Sequence, residues 1–300
     1  MKKILRSNIA VLLLLGLLIP VIGCKETVYV TVTPEPTLTV PSTLMPTTTP
    51  KPTLTVPPTL MPTTTPSPTL TTTATPITYP QSVSVYQDIL FYWDSWKDQY
   101  AADTLRAAGY NVHRLDYKTD VNQDLLGQYG ILVINTLPSP QQTQQVVGLV
   151  TDWIKAGGSV LFLITRDQVA FCNSILLPLY GIQANDDYIR DTTHSSSCGL
   201  YTTLITAHPT TANVQKFSTF GISLKVVDPR TKVIVQGEED AYSQYYTHRP
   251  PLVAVAEHKG GRIVAVSCQE NSFPFGNERI SCSDNQLFFL NIINWLAHKT

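Results

Sequence analysis

Ile131-Leu-Val-Ile134, then Gln141–Ala156 with Val146, Val147, Leu149, Val150, Trp153 and Ile154, then Gly157-Gly158 and Val160-Leu-Phe-Leu-Ile164 are the residues that decide the fold. The two outer runs are wholly apolar, too short for helices, and lack the alternation of a half-exposed strand. Each therefore reads as a strand covered on both faces. The segment between them repeats its apolar residues at helical spacing and stops on a glycine pair. A strand, a long helix and a second buried strand form a crossover unit, and such a crossover joins parallel strands. The predicted class is α/β, a doubly wound, mostly parallel sheet.

The same alternation extends to both sides. Asp88–Trp93 reads as a buried strand, Lys97–Gly109 as a helix ending on a glycine, Asn111–Asp116 as a strand and Val121–Gln128 as a short helix. Gln168–Tyr180 is a further helix. Beyond Tyr180 the pattern loosens into strands at Ser223–Val227, Lys232–Gln236, Leu252–Ala256 and Arg262–Ser267. Their short connections predict additional antiparallel strands in the C-terminal half. Asp284–Ala297 closes the chain as an amphipathic helix, with Asp284-Asn285 expected to cap its start.

Of the 300 residues, only the last 220 carry this pattern. Residues 81–300 hold 16 Lys/Arg and 20 Asp/Glu, a net charge of -4, which argues against a nucleic-acid partner because no basic stripe is present to displace counterions. Residues 27–80 contain 21 Thr and 13 Pro, and residues 36–51 (PTLTVPSTLMPTTTPK) recur as 52–67 (PTLTVPPTLMPTTTPS) with fourteen of sixteen positions identical. Proline at this density removes backbone donors and favours extended polyproline II, so residues 24–80 read as a Thr/Pro-rich disordered stalk. At about 3.1 Å per residue such a stalk reaches on the order of 150 Å.

Residues 1–23 carry Lys2, Lys3 and Arg6 ahead of an apolar run from Ile9 to Ile19, the arrangement of an export signal. Val21-Ile22-Gly23-Cys24 resembles the lipobox of prokaryotic lipoproteins, in which the cysteine is acylated and becomes the new N-terminus. That resemblance implies lipidation at Cys24 and an extracytoplasmic head, residues 81–300, tethered to a membrane. Four cysteines remain: Cys172, Cys198, Cys268 and Cys282. An even count in an exported domain predicts disulfides. Three pairings are open, of which the local one, Cys172–Cys198 with Cys268–Cys282, closes loops without crossing the sheet.

A second resemblance runs through the head. Gly157-Gly-Ser-Val-Leu-Phe-Leu-Ile164, Ala207-His-Pro-Thr-Thr211, Gly260-Gly-Arg-Ile-Val-Ala-Val266 and Asp284-Asn-x-x-Phe-x-Leu-Asn-x-x-x-Trp-Leu296 follow in order. This string is similar to the class I glutamine-amidotransferase-like superfamily, with its flavodoxin-like sheet, over about residues 86–298. Enzymes of that superfamily use a cysteine at a strand–helix elbow, with a histidine and a carboxylate from a later strand. The elbow falls here on Thr165-Arg166-Asp167-Gln168, with no cysteine and no Gly-x-Cys-x-Gly, and Gly-x-Ser-x-Gly is absent as well. A strained nucleophile turn needs small neighbours, so the segment does not support acyl transfer.

In doubly wound sheets ligands enter at the carboxyl ends of the strands. The polar residues expected there are Asp94, Ser95 and Trp96, then Asn135 and Thr136, then Thr165, Arg166 and Asp167, then Gln269, Glu270 and Asn271. Of these, Asp94, Trp96, Arg166, Asp167, Glu270 and Asn271 form the candidate ligand-binding set, with Trp96 as an aromatic floor. His208, before Pro209, reads as a turn residue rather than a base. Glu238-Glu239-Asp240 with Tyr242, Tyr245 and Tyr246 reads as a solvated loop, or as an edge whose tyrosines suit sugars or protein partners. No cofactor and no metal centre are expected.

The expected function is a non-catalytic head that binds a glycan, a small polar ligand or an envelope protein at the cell surface or periplasmic face. The alternative is an extracytoplasmic hydrolase that acts on a glycan or other polar substrate through Asp94, Asp167 or Glu270, two such carboxylates dividing acid and base work. The anchoring expectation has a direct check. Cys24→Ser should move the protein from the membrane fraction to the soluble fraction, as read by fractionation and immunoblotting; unchanged sedimentation with membranes would refute lipidation at this position.

Overall fold

The structure is a computed structural model that describes residues 87–92, 99–115, 119–258, 260–269, 273–277 and 279–300. The signal, stalk and Cys24 readings lie outside these residues, as do Asp94, Ser95, Trp96, Glu270 and Asn271. Among the described residues no helix is long and apolar enough to cross a membrane.

The first half alternates strictly. β1 (Asp88–Tyr92), α1 (Gln99–Ala107), β2 (Asn111–Leu115), α2 (Gln123–Leu126), β3 (Ile131–Ile134), α3 (Thr143–Lys155), β4 (Ser159–Ile164) and α4 (Val169–Tyr180) follow one another. The second half is shorter-stepped: β5 (Ile182–Ala184), β6 (Ser195–Ser196), β7 (Gly199–Thr202), β8 (Phe217–Thr219), β9 (Leu224–Val226), β10 (Lys232–Gln236), β11 (Pro251–His258), β12 (Gly261–Ser267) and α5 (Asn285–Leu296). The main sheet has the order β10-β11-β12-β4-β3-β1-β2. Its pairs from β12 to β2 are parallel, and β10 and β11 add antiparallel strands at one edge. The order β2-β1-β3-β4-β12 is the flavodoxin-like arrangement, whose direction of winding reverses between β1 and β3. The α/β, doubly wound, mostly parallel class expected from the sequence is the one observed.

The wholly apolar strands are explained by two cores. On one face Phe91, Val133, Leu161 and Val264 meet α1 and α5 through Leu105, Phe288 and Ile292. On the other, Leu90, Leu132, Phe162 and Ala265 meet α3 and α4 through Val150, Trp153 and Ile175. Successive strand residues point to opposite faces, so a strand buried on both must be apolar throughout. The glycine pairs of the sequence string are halves of a single contact. A Cβ on Gly261 would lie 2.1 Å from the Gly158 carbonyl oxygen, and one on Gly158 would lie 2.4 Å from the Trp153 ring. The turn after α3 can therefore pack against the β11–β12 hairpin only where side chains are missing.

Two expectations are corrected. Asp284 stands at the N-cap of α5 but makes no capping bond. Its carboxylate instead accepts the backbone N–H groups of Gln215 and Lys216, at 2.9 and 3.0 Å. Among the described residues there is one disulfide, Cys198–Cys282, with Cα atoms 5.9 Å apart. Cys172 and Cys268 are free and buried, so neither local pairing forms. The segment after Cys268 buries Phe275 in the core and carries Cys282 to the β6–β7 hairpin, within bridging distance of Cys198. Closing 84 residues of chain stabilises by about 4–5 kcal/mol on a chain-entropy estimate. Without reductant, thiol titration of residues 81–300 should find two reactive groups in denaturant and none under native conditions; zero in denaturant would restore the second bridge.

Candidate functional site

The carboxyl ends of β3, β4 and β12 are formed by Asn135, by Thr165–Gln168 and by Ser267–Gln269. The elbow after β4 is an ordinary helix cap. Thr165 and Gln168 form a capping box, with the Gln168 side-chain oxygen accepting the Thr165 N–H at 3.3 Å. The Thr165 hydroxyl donates to the Asp167 carboxylate. Asp167 is thus engaged in holding the turn. Cys268 follows β12 with its N–H on the Ile164 carbonyl, 2.8 Å away, and is fully buried. Desolvation pushes its thiol well above the ordinary range, the reverse of what a nucleophilic cysteine needs.

Asn135 stands apart. It is 3% exposed, at the end of β3 beside the point where the sheet reverses, and neither its amide oxygen nor its amide nitrogen has a hydrogen-bond partner among the described residues. Buried amides are nearly always paired, because an unpaired one costs on the order of 1–3 kcal/mol. This orphan amide lies where the fold class takes its ligands.

Beyond the end of β4 lies a cleft of about 310 Å³ lined by Arg166, Asp186, Asp187, Tyr188, Arg190, Tyr242, Ser243 and Gln244. Its frame is built from the loop after β5. The Asn185 and Ile189 N–H groups bond the Ser223 and Gly221 carbonyls, at 3.0 and 2.9 Å. Asp187 accepts both the N–H (2.7 Å) and the hydroxyl (2.6 Å) of Ser223, whose oxygen also accepts from Asn185 at 2.8 Å. Arg166 pairs through Nε with Asp186 and lies over the Tyr188 ring, 5.0 Å from its centroid. Its bond to Asp186, with a further one to Tyr188, raises the guanidinium pKa. Arg190 and Tyr242 exchange backbone hydrogen bonds of 2.8 and 2.9 Å and join the two walls. Tyr188 and Tyr242 each leave about two-fifths of their surface open, at 42% and 41%.

Next to that joint, His194 Nδ1 faces the Asp240 carboxylate at 3.0 Å and the Asp191 carboxylate at 3.3 Å. These three side chains are the group best placed, among the described residues, to offer one nitrogen and two oxygens to a cation. A histidine hydrogen-bonded between carboxylates accounts for the same geometry. Its clear effect is to tie the loop carrying Arg190 to the loop carrying Tyr242. His208 caps the 3-10 turn Pro209–Thr211 with its ring, accepting the Thr210 N–H at 3.2 Å, and packs edge-on to Trp295. Burial lowers its pKa.

Of the sequence candidates, Arg166 lines the cleft and Asp167 sits in the adjoining cap, while Asp94, Trp96, Glu270 and Asn271 fall outside the described residues. Tyr242, read as part of a loop or contact edge, forms a cleft wall. Asp186, Tyr188 and Arg190 were not singled out in the sequence. Their signal was the polar–aromatic run Asp186-Asp-Tyr-Ile-Arg190 directly after a short apolar segment.

The fold and site define a doubly wound α/β domain with a polar, tyrosine-walled cleft outside its carboxyl edge and a capped turn at the elbow. No family model matches the chain, and no curated protein does. Solved structures do. The mmIFT52 N-terminal domain is similar at a TM-score of 0.53 and 12% identity, over 70% of this chain and 97% of that one. Cytoplasmic Protein STM1381 from Salmonella typhimurium LT2 is similar at 0.50 and 13%, over 70% and 99%. A GMP synthase-like protein from Thermoplasma acidophilum superposes at 0.44 and 9%, over 71% and 94%. At these identities the likeness is one of fold alone.

The orphan amide gives a stability prediction. Asn135→Leu, similar in shape and without polar atoms, should leave the melting temperature unchanged or raise it. A clear fall in thermal denaturation would mean that the amide is a paired structural element.

Proposed function

We propose that this chain is a membrane-tethered extracytoplasmic lipoprotein whose α/β head binds a polar ligand without transforming it. The observation that carries the reading is the chemistry of the cleft. Its carboxylates are already committed, Asp186 to Arg166 and Asp187 to Ser223, while its part-exposed tyrosines and its second arginine, Arg190, face the cleft. Aromatic faces with donors and acceptors around them bind and orient, whereas general acid–base work needs a free titratable group within reach of the substrate. Of the three carboxylates open to the hydrolytic alternative, Asp94 and Glu270 lie outside the described residues, and Asp167 already accepts the Thr165 hydroxyl. The signal, lipobox and stalk readings supply the location: a head held at reach from a membrane meets envelope or extracellular molecules.

A thermal-shift screen of the full chain against glycans, amino acids, nucleotides and small polar acids tests this. A ligand at a hundred times its dissociation constant should stabilise the head by about 2.7 kcal/mol. Tyr242→Ala should weaken that ligand at least tenfold without yielding or losing any turnover. Conversion of the ligand to product by the wild type would replace the binding reading with an enzymatic one.

A further inference from the structure

We infer that the cleft is selective for a sugar carrying a single carboxylate, a uronic-acid unit, which it reads through the Arg190 guanidinium. The inference rests on the binding reading above and names its ligand class.

Arg166 and Arg190 share the cleft but not the same state. Arg166 is neutralised by Asp186 and lies over Tyr188, so it serves as part of the wall. Arg190 is exposed, and its guanidinium makes no ion pair or side-chain hydrogen bond among the described residues. Its backbone is nonetheless fixed on both hydrogen-bonding sides by Tyr242, and the next residue, Asp191, has its carboxylate on the Thr193 and His194 N–H groups at 2.8 and 2.6 Å. A free guanidinium on a fixed backbone offers a fork that matches a carboxylate bidentately.

The rest of the lining decides what the carboxylate is attached to. A pyranose has apolar C–H faces that lie on aromatic rings and a rim of hydroxyls that need acceptors and donors. Tyr188 and Tyr242 provide part-exposed rings, and Ser243 and Gln244 provide donors and acceptors for the hydroxyl rim. An amino acid would need an uncommitted carboxylate for its ammonium group, and both lining aspartates are in use. A phosphate dianion would favour two free cations, and one is present. The cleft volume, about 310 Å³, sits at the small end of the usual ~300–1,000 Å³ range for small-ligand sites, which suits a terminal sugar unit rather than a long buried chain.

The test is titration calorimetry of the full-length chain in detergent with oligomers of galacturonate, glucuronate and mannuronate, their methyl esters, neutral oligogalactose and inorganic phosphate. At least one uronate oligomer should bind, and its methyl ester should bind at least tenfold more weakly. Arg190→Gln should lower uronate affinity at least tenfold and weaken the ester much less, so that the gap between acid and ester narrows, and Tyr242→Ala should weaken both. The ester comparison alters the ligand alone and so holds whatever a variant does to folding. Equal affinity for acid and ester, phosphate displacing the uronate at lower concentration, or no uronate binding would each overturn the inference. In the last case, a hit with a different polar ligand in the thermal-shift screen would leave the broader binding reading standing, and its absence would remove both.

Discussion

The side chain of Asn285 is the constraint on which the C-terminal half depends. It is fully buried at the first turn of α5; its oxygen accepts the Ser218 N–H at 3.0 Å, and its nitrogen lies 2.9 to 3.0 Å from the carbonyls of Ser218, Pro274 and Arg279. One amide thereby ties the backbone of β8 to the segment leading into α5 through several hydrogen bonds. Around it Phe217, Phe275, Phe288 and Phe289 form a contiguous aromatic group with centroids 4.9 to 6.3 Å apart. Asp284, Asn291 and Trp295 continue the same task along the helix, holding the Gln215–Lys216 backbone, the Ala212 carbonyl and the His208 ring. The motif string in the sequence is therefore a docking surface for the polypeptide itself.

That anchorage reaches the cleft through a short relay. β8 is followed by Phe220–Ser223, which crosses the end of β12: the Thr219 hydroxyl donates to the Ser267 carbonyl at 2.9 Å and the Ser267 hydroxyl to the Ile222 carbonyl at 2.5 Å. Gly221 is required there, since a Cβ would fall 1.9 Å from the Ser267 hydroxyl oxygen. Ser223 then holds Asp187, and with it the loop that carries Tyr188 and Arg190. The carboxyl edge beside β12 is thus crossed by the chain's own backbone, and the cleft lies outward, beyond the end of β4.

Much of this was legible in the sequence where one physical cause dominated. Strands buried on both faces must be apolar, so β1, β3, β4 and β12 announced themselves, and the helices between them carried a clear period. β5 to β8 did not. They are two to four residues long, and β6 is Ser195-Ser196, which exists only because it pairs with Gly199 and Leu200. Cysteine pairing was illegible for a similar reason: it depends on where the segment after β12 travels, which no local pattern encodes. In the site, Arg166 followed from the rule that ligands enter at strand ends, whereas Arg190 and Tyr188 follow a three-residue strand whose partner β9 lies forty residues on. The Asn135 position was legible, and its lack of partners was not, because that depends on every neighbour brought in by tertiary folding.

The Cys198–Cys282 bridge has a consequence for how the protein survives proteolysis. The exposed turn that bears Tyr242, Tyr245 and Arg249 lies between the two bridged cysteines, and loops of this kind are where proteases cut. A single nick there leaves both fragments joined through sulfur, so the far wall of the cleft and the closing helix stay with the portion that continues toward the N-terminus. A clipped molecule would keep its mass on a non-reducing gel and separate into two bands only after reduction.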